Sequence, residues 1–286
     1  MLDFATDGRD WPWREHSRFV EAGGLHWHVQ VWGEGPPLLL LHGTGAASHS
    51  WRGVAPLLAE RFRFVIPDLP GHGFTRGKPR LGLTLDGMAE ALGSLIDALE
   101  IERPRVAGHS AGAAIACRMA VTGQVAGPIT AFCPALLPMG GAAAPLFGSL
   151  ARLLFLNPVA PHLFTGIARQ PGSVARFLER STGSSLDAEG VALYSLLFAD
   201  PDHVRGTIEM MSGWRLEALE RALPHMAAPL TIVHGEDDRA IPLADARKAG
   251  RLARARVEVL PGLGHLAHEE RPDLAAQAIE RAGAQQ

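Results

Sequence analysis

The sequence predicts an α/β protein: a mostly parallel central sheet flanked by helices, with one inserted helical segment. Three observations lead there. Short, continuous apolar runs recur along the chain, as expected of strands buried on both faces. Amphipathic helical segments alternate with them, the pattern of a sheet wrapped by helices. One long stretch, residues 135–223, breaks this rhythm with helices and turns and no convincing parallel strand.

The elements read in order as follows. Segments 17–21 and 26–32 alternate in polarity and are joined by Ala22-Gly23-Gly24, which predicts an antiparallel hairpin. Residues 37–41 (PLLLL) form the first doubly buried parallel strand, and 62–67, 105–108, 128–132, 230–234 and 256–260 follow the same habit. Helical periodicity covers 85–99, 111–121 and 243–253. The organisation that results is a core in two parts, 1–134 and 224–286, separated by a helical cap over 135–223.

Composition sets further limits. The chain has 286 residues, 47% of them hydrophobic and 20% charged, enough for a large buried core. A net charge of -3 with no basic stripe argues against nucleic acid as a partner. The basic run 247–256 (RKAGRLARAR) reads as a solvated helix face. Two cysteines, Cys117 and Cys133, make no disulfide framework and read as buried small residues, which implies a reducing, cytoplasmic compartment. The opening residues are charged and aromatic, without the apolar core of a signal peptide. The most lipid-like stretch, 142–165, carries Arg152, Pro158 and Pro161, which argues against a transmembrane segment and leaves peripheral membrane association open.

Four loops after strands carry the chemistry. Gly108-His109-Ser110-Ala111-Gly112 fits G-x-S-x-G between a strand and a helix. That context is required for a nucleophile elbow, where a sharp turn presents the serine hydroxyl at the carboxyl edge of a sheet. His42-Gly43-Thr44-Gly45 follows the strand 37–41. The backbone N–H groups of Thr44 and Ala111 are the candidate oxyanion donors. A rival reading of 43–48 as a dinucleotide loop fails for want of the last small residue and a following acid. Gly235-Glu236-Asp237-Asp238 and Gly262-Leu263-Gly264-His265 complete the set. The order Ser110, Asp238, His265 suits nucleophile, orienting acid and general base, with Asp237 the competitor for the acid. His265-x-x-His268-Glu269-Glu270 has the composition of a metal site but not the spacing of one. Pro67-Asp68-Leu69-Pro70-Gly71-His72-Gly73 reads as a structural turn.

These motifs together, over nearly the whole chain, resemble the α/β-hydrolase superfamily. The resemblance implies that fold, and its G-x-x-D-x-x-x-P pattern aligns the acid with Asp238 and the proline with Pro242. A narrower resemblance rests on Asp10-Trp11-Pro12, Gly23-Gly24-Leu25, Ala113-Ala114-Ile115 after the elbow, Leu186-Asp187-Ala188-Glu189-Gly190 and Leu266-Ala267-His268-Glu269-Glu270. These look like the magnesium-chelatase accessory proteins associated with bacteriochlorophyll biosynthesis in phototrophic bacteria.

The resemblance implies an esterase-like serine hydrolase tied to photosynthetic pigment synthesis, with magnesium chelatase as a contact. The alternatives are a non-catalytic porphyrin-binding accessory, a general carboxylesterase and a carbon–carbon bond hydrolase. Serine at the elbow departs from the aspartate that haloalkane dehalogenases and epoxide hydrolases of this fold place there. The expected ligand is a small apolar substrate, a tetrapyrrole or an acyl ester, against a wall built from Leu146, Phe147, Leu150, Leu153, Leu154, Phe155 and Leu156. Triad chemistry requires no cofactor, and no motif here is a magnesium or other metal site.

Overall fold

The computed structural model describes residues 2–138 and 159–284. Eight strands form one sheet in the order β1-β2-β4-β3-β5-β6-β7-β8. β1 (Ser17–Ala22) and β2 (Leu25–Trp32) make the expected hairpin, and β2 also runs antiparallel to β4 (Arg63–Pro67). Gly23 and Gly24 take φ of 58° and 77°, as a type I′ turn demands at both central residues. β3 (Pro37–Leu41), β4, β5 (Arg105–His109), β6 (Ile129–Phe132), β7 (Leu230–Gly235) and β8 (Arg256–Leu260) are parallel.

Helices α1 (Ala55–Leu58), α2 (Leu85–Ala98) and α3 (Ala111–Val121) precede β6. Between β6 and β7 come α4 (Ala160–Ala168), α5 (Ser173–Thr182), α6 (Ala188–Phe198), α7 (Pro201–Gly213) and α8 (Glu217–Ala222). No strand occurs among the described residues of that interval. After β7 come α9 (Leu243–Ala253), α10 (Ala267–Glu270) and α11 (Pro272–Ala284). On α9, Arg247, Lys248 and Arg251 are exposed while Ala246, Ala249 and Gly250 are buried, so the basic run is a solvated face. Among the described residues, no helix is long and apolar enough to cross a membrane.

The pleat of β3 shows how the two layers form. Leu39 and Leu41 pack on one face with α2, α3 and α9, while Leu38 and Leu40 pack on the other with Trp51, α1 and α11. Alternate residues of a strand point to opposite faces, so a strand covered on both sides must be apolar throughout. β3 is followed in sequence by β4 on one side and neighbours β5 on the other. The chain therefore changes direction between β3 and β5, and the loops leaving their carboxyl ends diverge to open a crevice.

The segment between β6 and β7 docks onto this core through a third apolar cluster. Leu178 of α5 and Leu193, Leu197 and Phe198 of α6 pack with Trp11, Phe74 and Leu266. α6 starts at Asp187, whose side chain accepts from the Gly190 N–H. Further along the segment, Met210 of α7, Leu219 of α8 and Leu223 join the layer formed by α2 and α3.

A buried ion pair fastens the same junction. Arg52 donates to Glu269 at 2.9 Å and to Asp187 at 2.6 Å, and the Tyr194 hydroxyl donates to Glu269 at 2.8 Å. Burial pushes the Glu269 carboxyl up, against the opposing pull of the Arg52 guanidinium. Removing one partner of such a pair strands an uncompensated charge, at a cost of about 3–5 kcal/mol. Arg52→Met is therefore expected to lower the urea unfolding free energy by about 3 kcal/mol. Arg52→Met combined with Glu269→Gln should lose much less, because no orphan charge remains and the amide still accepts from Tyr194. Simple additivity of the two single losses in the double variant is the outcome that rejects the coupling.

Candidate active site

Ser110 stands where β5 ends and α3 begins, with φ 51° and ψ -113°. Non-glycine residues rarely occupy this region, so the surroundings must impose it. The Ser110 N–H donates to Phe132 O of β6 at 2.9 Å, and its carbonyl accepts from the Ala135 N–H at 3.2 Å. A Cβ on Gly108 would sit 2.6 Å from the Ala113 nitrogen, and one on Gly112 would sit 2.6 Å from the His42 carbonyl oxygen. Both glycines of the elbow are thus forced by close backbone approach. Ser110 occupies the N-cap position of α3 without using its side chain as a cap. Ala111 begins the helix, where backbone N–H groups have no intrahelical acceptor and the helix dipole favours negative charge.

Thr44 is placed by polar contacts on either side of its loop. His42 donates from Nδ1 to Gly43 O at 2.8 Å and accepts at Nε2 from the Leu69 N–H at 2.8 Å. His203 of α7 does the equivalent from the other side. Its Nε2 bonds Gly45 O and its Nδ1 accepts from the Gly73 N–H, both at 3.1 Å. The turn 67–73 is structural, as its composition suggests. Asp68 is wholly buried and takes His28 Nδ1 at 2.8 Å, the Ser48 N–H at 2.7 Å and the Phe74 N–H at 2.9 Å. Burial alone would raise its carboxyl pKa; His28 and the backbone donors hold it below the usual carboxylate range.

His265 and Asp238 meet at the far side of the crevice. His265 Nδ1 lies 2.8 Å from Asp238 Oδ2, and Asp238 Oδ1 accepts from the Ala240 and Ile241 N–H groups at 2.8 Å each. The main chain of His265 is held at both ends. Its N–H donates to Thr182 O at 2.8 Å, and its carbonyl accepts from His109 Nε2 at 2.9 Å. Asp237 is exposed and bonds Leu263 O through its backbone, so it is Asp238 that pairs with the imidazole. Glu269 and Glu270, which looked metal-like, are occupied otherwise. Glu269 belongs to the Arg52 pair, and Glu270 accepts from Ser184 Oγ at 2.8 Å and from the Gly264 N–H at 2.9 Å.

Cys117 and Cys133 are buried free thiols. Cys133, His234 and Asp238 offer ligand atoms within 4.8 Å of one another. Burial holds the Cys133 thiol protonated, and Asp238 is already committed to His265 and two N–H groups.

Ser110, His265 and Thr44 line one cavity of about 470 Å³. Phe164, Phe177, Phe198, Ile208 and Met211 of the inserted helices form much of the remaining wall. The leucines and phenylalanines at 146–156 that the sequence suggested for this wall lie outside the described residues.

Residues 38–278 match the model of the alpha/beta hydrolase family. The chain belongs to that family. It is 38% identical over 267 residues to the magnesium-chelatase 30 kDa subunit of Rhodobacter capsulatus, covering 92% of this chain and 93% of that protein. Among solved structures, an alpha/beta hydrolase fold protein from Burkholderia ambifaria superposes with a TM-score of 0.74 at 25% identity, covering 98% of each chain. A thermophilic esterase from Thermogutta terrifontis gives 0.75 at 22% identity, covering 92% of this α/β hydrolase and 97% of the esterase, and shares the fold.

Sequence reasoning placed the four loops but missed the groups that fasten them: His28, His203, Ser184 and Glu270. For Glu270 the only available signal was its closeness to His265.

The interior is also rich in neutral imidazole. Burial lowers the pKa of His42, His72 and His268 to about 3 and that of His203 to about 4, and holds His49 and His109 well below the ordinary value. A base whose folded pKa is depressed adds stability above its unfolded pKa, near 6.5, and loses it as the pH falls toward the folded value. Six such groups each remove about 1.4 kcal/mol per pH unit, enough to exhaust a stability of about 10 kcal/mol within one to two units. Glu269, raised to about 7, acts in the opposite direction between about 4.5 and 7 and offsets one of the six. Circular dichroism should show cooperative acid unfolding centred between about pH 5 and 6 with uptake of several protons. Retention of tertiary structure at pH 4 would contradict burial of these rings in neutral form.

Proposed function

We propose that this α/β hydrolase is an active serine hydrolase of ester-like bonds, with Ser110 as nucleophile, His265 as general base and Asp238 as the acid that orients it. The observation carrying this reading is the 2.8 Å bond from His265 Nδ1 to Asp238 Oδ2, made by an imidazole that lines the same cavity as Ser110. A carboxylate at Nδ1 fixes the tautomer that leaves Nε2 free to accept a proton.

The chemistry follows from that arrangement. Ser110 Oγ attacks the substrate carbonyl while His265 Nε2 takes the hydroxyl proton. The carbonyl oxygen becomes an oxyanion, stabilised by the backbone N–H groups of Thr44 and Ala111. Collapse expels the alcohol, which receives the proton from His265, and leaves an acyl group on Ser110. Water, deprotonated by His265, then attacks the acyl carbonyl and regenerates Ser110 with release of the acid. The described helices between β6 and β7 act as a cap and form the outer wall of the cavity.

The likeness to a magnesium-chelatase 30 kDa subunit supports a place beside a chelatase in bacteriochlorophyll biosynthesis, in the cytoplasm or at a membrane surface, acting on a tetrapyrrole ester. The same likeness, to a protein named as a subunit, favours a second reading: the cavity holds a tetrapyrrole for the chelatase and turns nothing over.

A fluorophosphonate probe separates the two. The wild-type protein should label and Ser110→Ala should not, while Asp238→Asn should slow labelling by about 10⁴-fold through loss of the productive tautomer. A folded wild-type protein that resists the probe rejects the hydrolase and leaves the binding role.

A further inference from the structure

The wall of the cavity is less polar than its composition. Ser181, Thr182 and Thr207 all line it, yet each hydroxyl is turned back on its own helix. Ser181 Oγ donates to Phe177 O at 2.7 Å, Thr182 Oγ1 to Leu178 O at 2.6 Å and Thr207 Oγ1 to His203 O at 2.9 Å. The Tyr194 hydroxyl is taken by Glu269 at 2.8 Å, and Thr44 Oγ1 points to Met210 Sδ at 3.6 Å. A hydroxyl has one proton to give, and these are spent within the protein. Phe164, Phe177 and Phe198 meet edge to face with centroids 5.6–5.9 Å apart, and present ring surface to the space between the cap and Ser110. Among the described residues, no Asp, Glu, Lys or Arg lines the cavity.

Among the described residues, the polar functions left to a bound molecule are therefore those around Ser110 and His265. We propose that the cavity accepts molecules with one polar point, the scissile carbonyl, carried on an uncharged apolar body, and rejects those that carry a carboxylate on that body. This rests on the hydrolase reading above for the identity of the polar point. The physical basis is asymmetric. Apolar surface is favoured by the aromatic wall, whereas an ionised carboxylate would lose its hydration and find neither cation nor free donor among the described residues. Of a tetrapyrrole with several acidic side chains, only an esterified, uncharged one would enter.

The test is calorimetric binding of two ketones of equal length to the wild-type protein, 2-octanone and 7-oxooctanoate. Both carry a methyl ketone in place of the ester carbonyl and differ only in the far end. 2-Octanone should bind about 100-fold or more tightly than the carboxylate, reflecting the cost of burying an unpaired ion. Thr207→Lys supplies a cation to the wall and should narrow that ratio by about tenfold or more. Met211→Lys, at a half-exposed position on the same wall, serves if Thr207→Lys does not fold. Equal affinities, preference for the carboxylate, no measurable binding of 2-octanone, or a ratio unmoved by a folded lysine variant each overturn the proposal. Fluorophosphonate labelling in parallel keeps the two readings apart. A labelled protein that prefers the carboxylate retains the hydrolase and loses this specificity, and an unlabelled protein that prefers 2-octanone does the reverse.

Discussion

The passage from β5 to α3 is made in a single residue, and the arrangement around the crevice depends on it. Ser110 holds φ 51° and ψ -113°, a conformation that costs about 1–3 kcal/mol for a residue with a side chain. Glycine on each side removes the Cβ atoms that would strike Ala113 and the His42 carbonyl. Gly43 does the same for the facing loop, since its Cβ would lie 2.6 Å from His109 Nδ1 and 3.2 Å from Ser110 Cβ. The loops after β3 and β5 can therefore approach so closely only with these residues. β6 completes the constraint by accepting the Ser110 N–H. What results is a hydroxyl held off its own helix, at the point where the sheet order diverges and space for a ligand opens.

Buried polar groups then fix the remaining loops, and neutral imidazole suits this work. It carries one donor and one acceptor, so a single ring can bridge two backbone segments that no strand joins. His42 links the β3 and β4 loops, and His203 links both of them to α7. Glu270 ties the His265 loop to Ser184. Each bond adds only about 1 kcal/mol net, but leaving its buried partner unsatisfied costs about 1–3 kcal/mol. Loop positions are therefore enforced mainly by the penalty on alternatives. The same economy makes the interior vulnerable to protonation, because an imidazolium has no acceptor to offer.

Much of this was legible in the residues alone. Every strand end falls within one residue of its expected place, because continuous apolar runs bounded by Gly, His and Pro leave little freedom in where a doubly buried strand stops. Ser110, Asp238 and His265 could be singled out because each follows such a strand, and loops after parallel strands share one edge. Between Asp237 and Asp238 the residues alone left a competition, which only the spacing from Gly235 to Pro242 resolved toward Asp238. The physical reason is turn geometry: Asp238 is the carboxylate that accepts from the Ala240 and Ile241 N–H groups. The roles of His28, His203 and Glu270 were hidden for a different reason: their partners lie 40, 130 and 86 residues away. Glu269 and Glu270 looked alike and adjacent to a histidine, yet one faces Arg52 and the other Ser184, because neighbours on a single helical turn point in different directions.

The inserted helices differ in kind from the core loops they cover. The core loops present polar groups to the crevice, each held by named backbone partners. The inserted helices present rings and methyl groups; Ser181, Thr182 and Thr207 direct their hydroxyls to carbonyls of their own helices, and Tyr194 directs its hydroxyl to Glu269. Changing Phe177 or Met211, both partly exposed on this wall, alters shape and polarity without touching a bond that holds Ser110, Asp238 or His265. On the proposed reading, reactivity and selectivity belong to separate stretches of chain, joined at Arg52, His203 and Ser184. A substitution at one of those three joints should affect both, since each bears on the loops of the crevice and on the seating of the helices that form its outer wall.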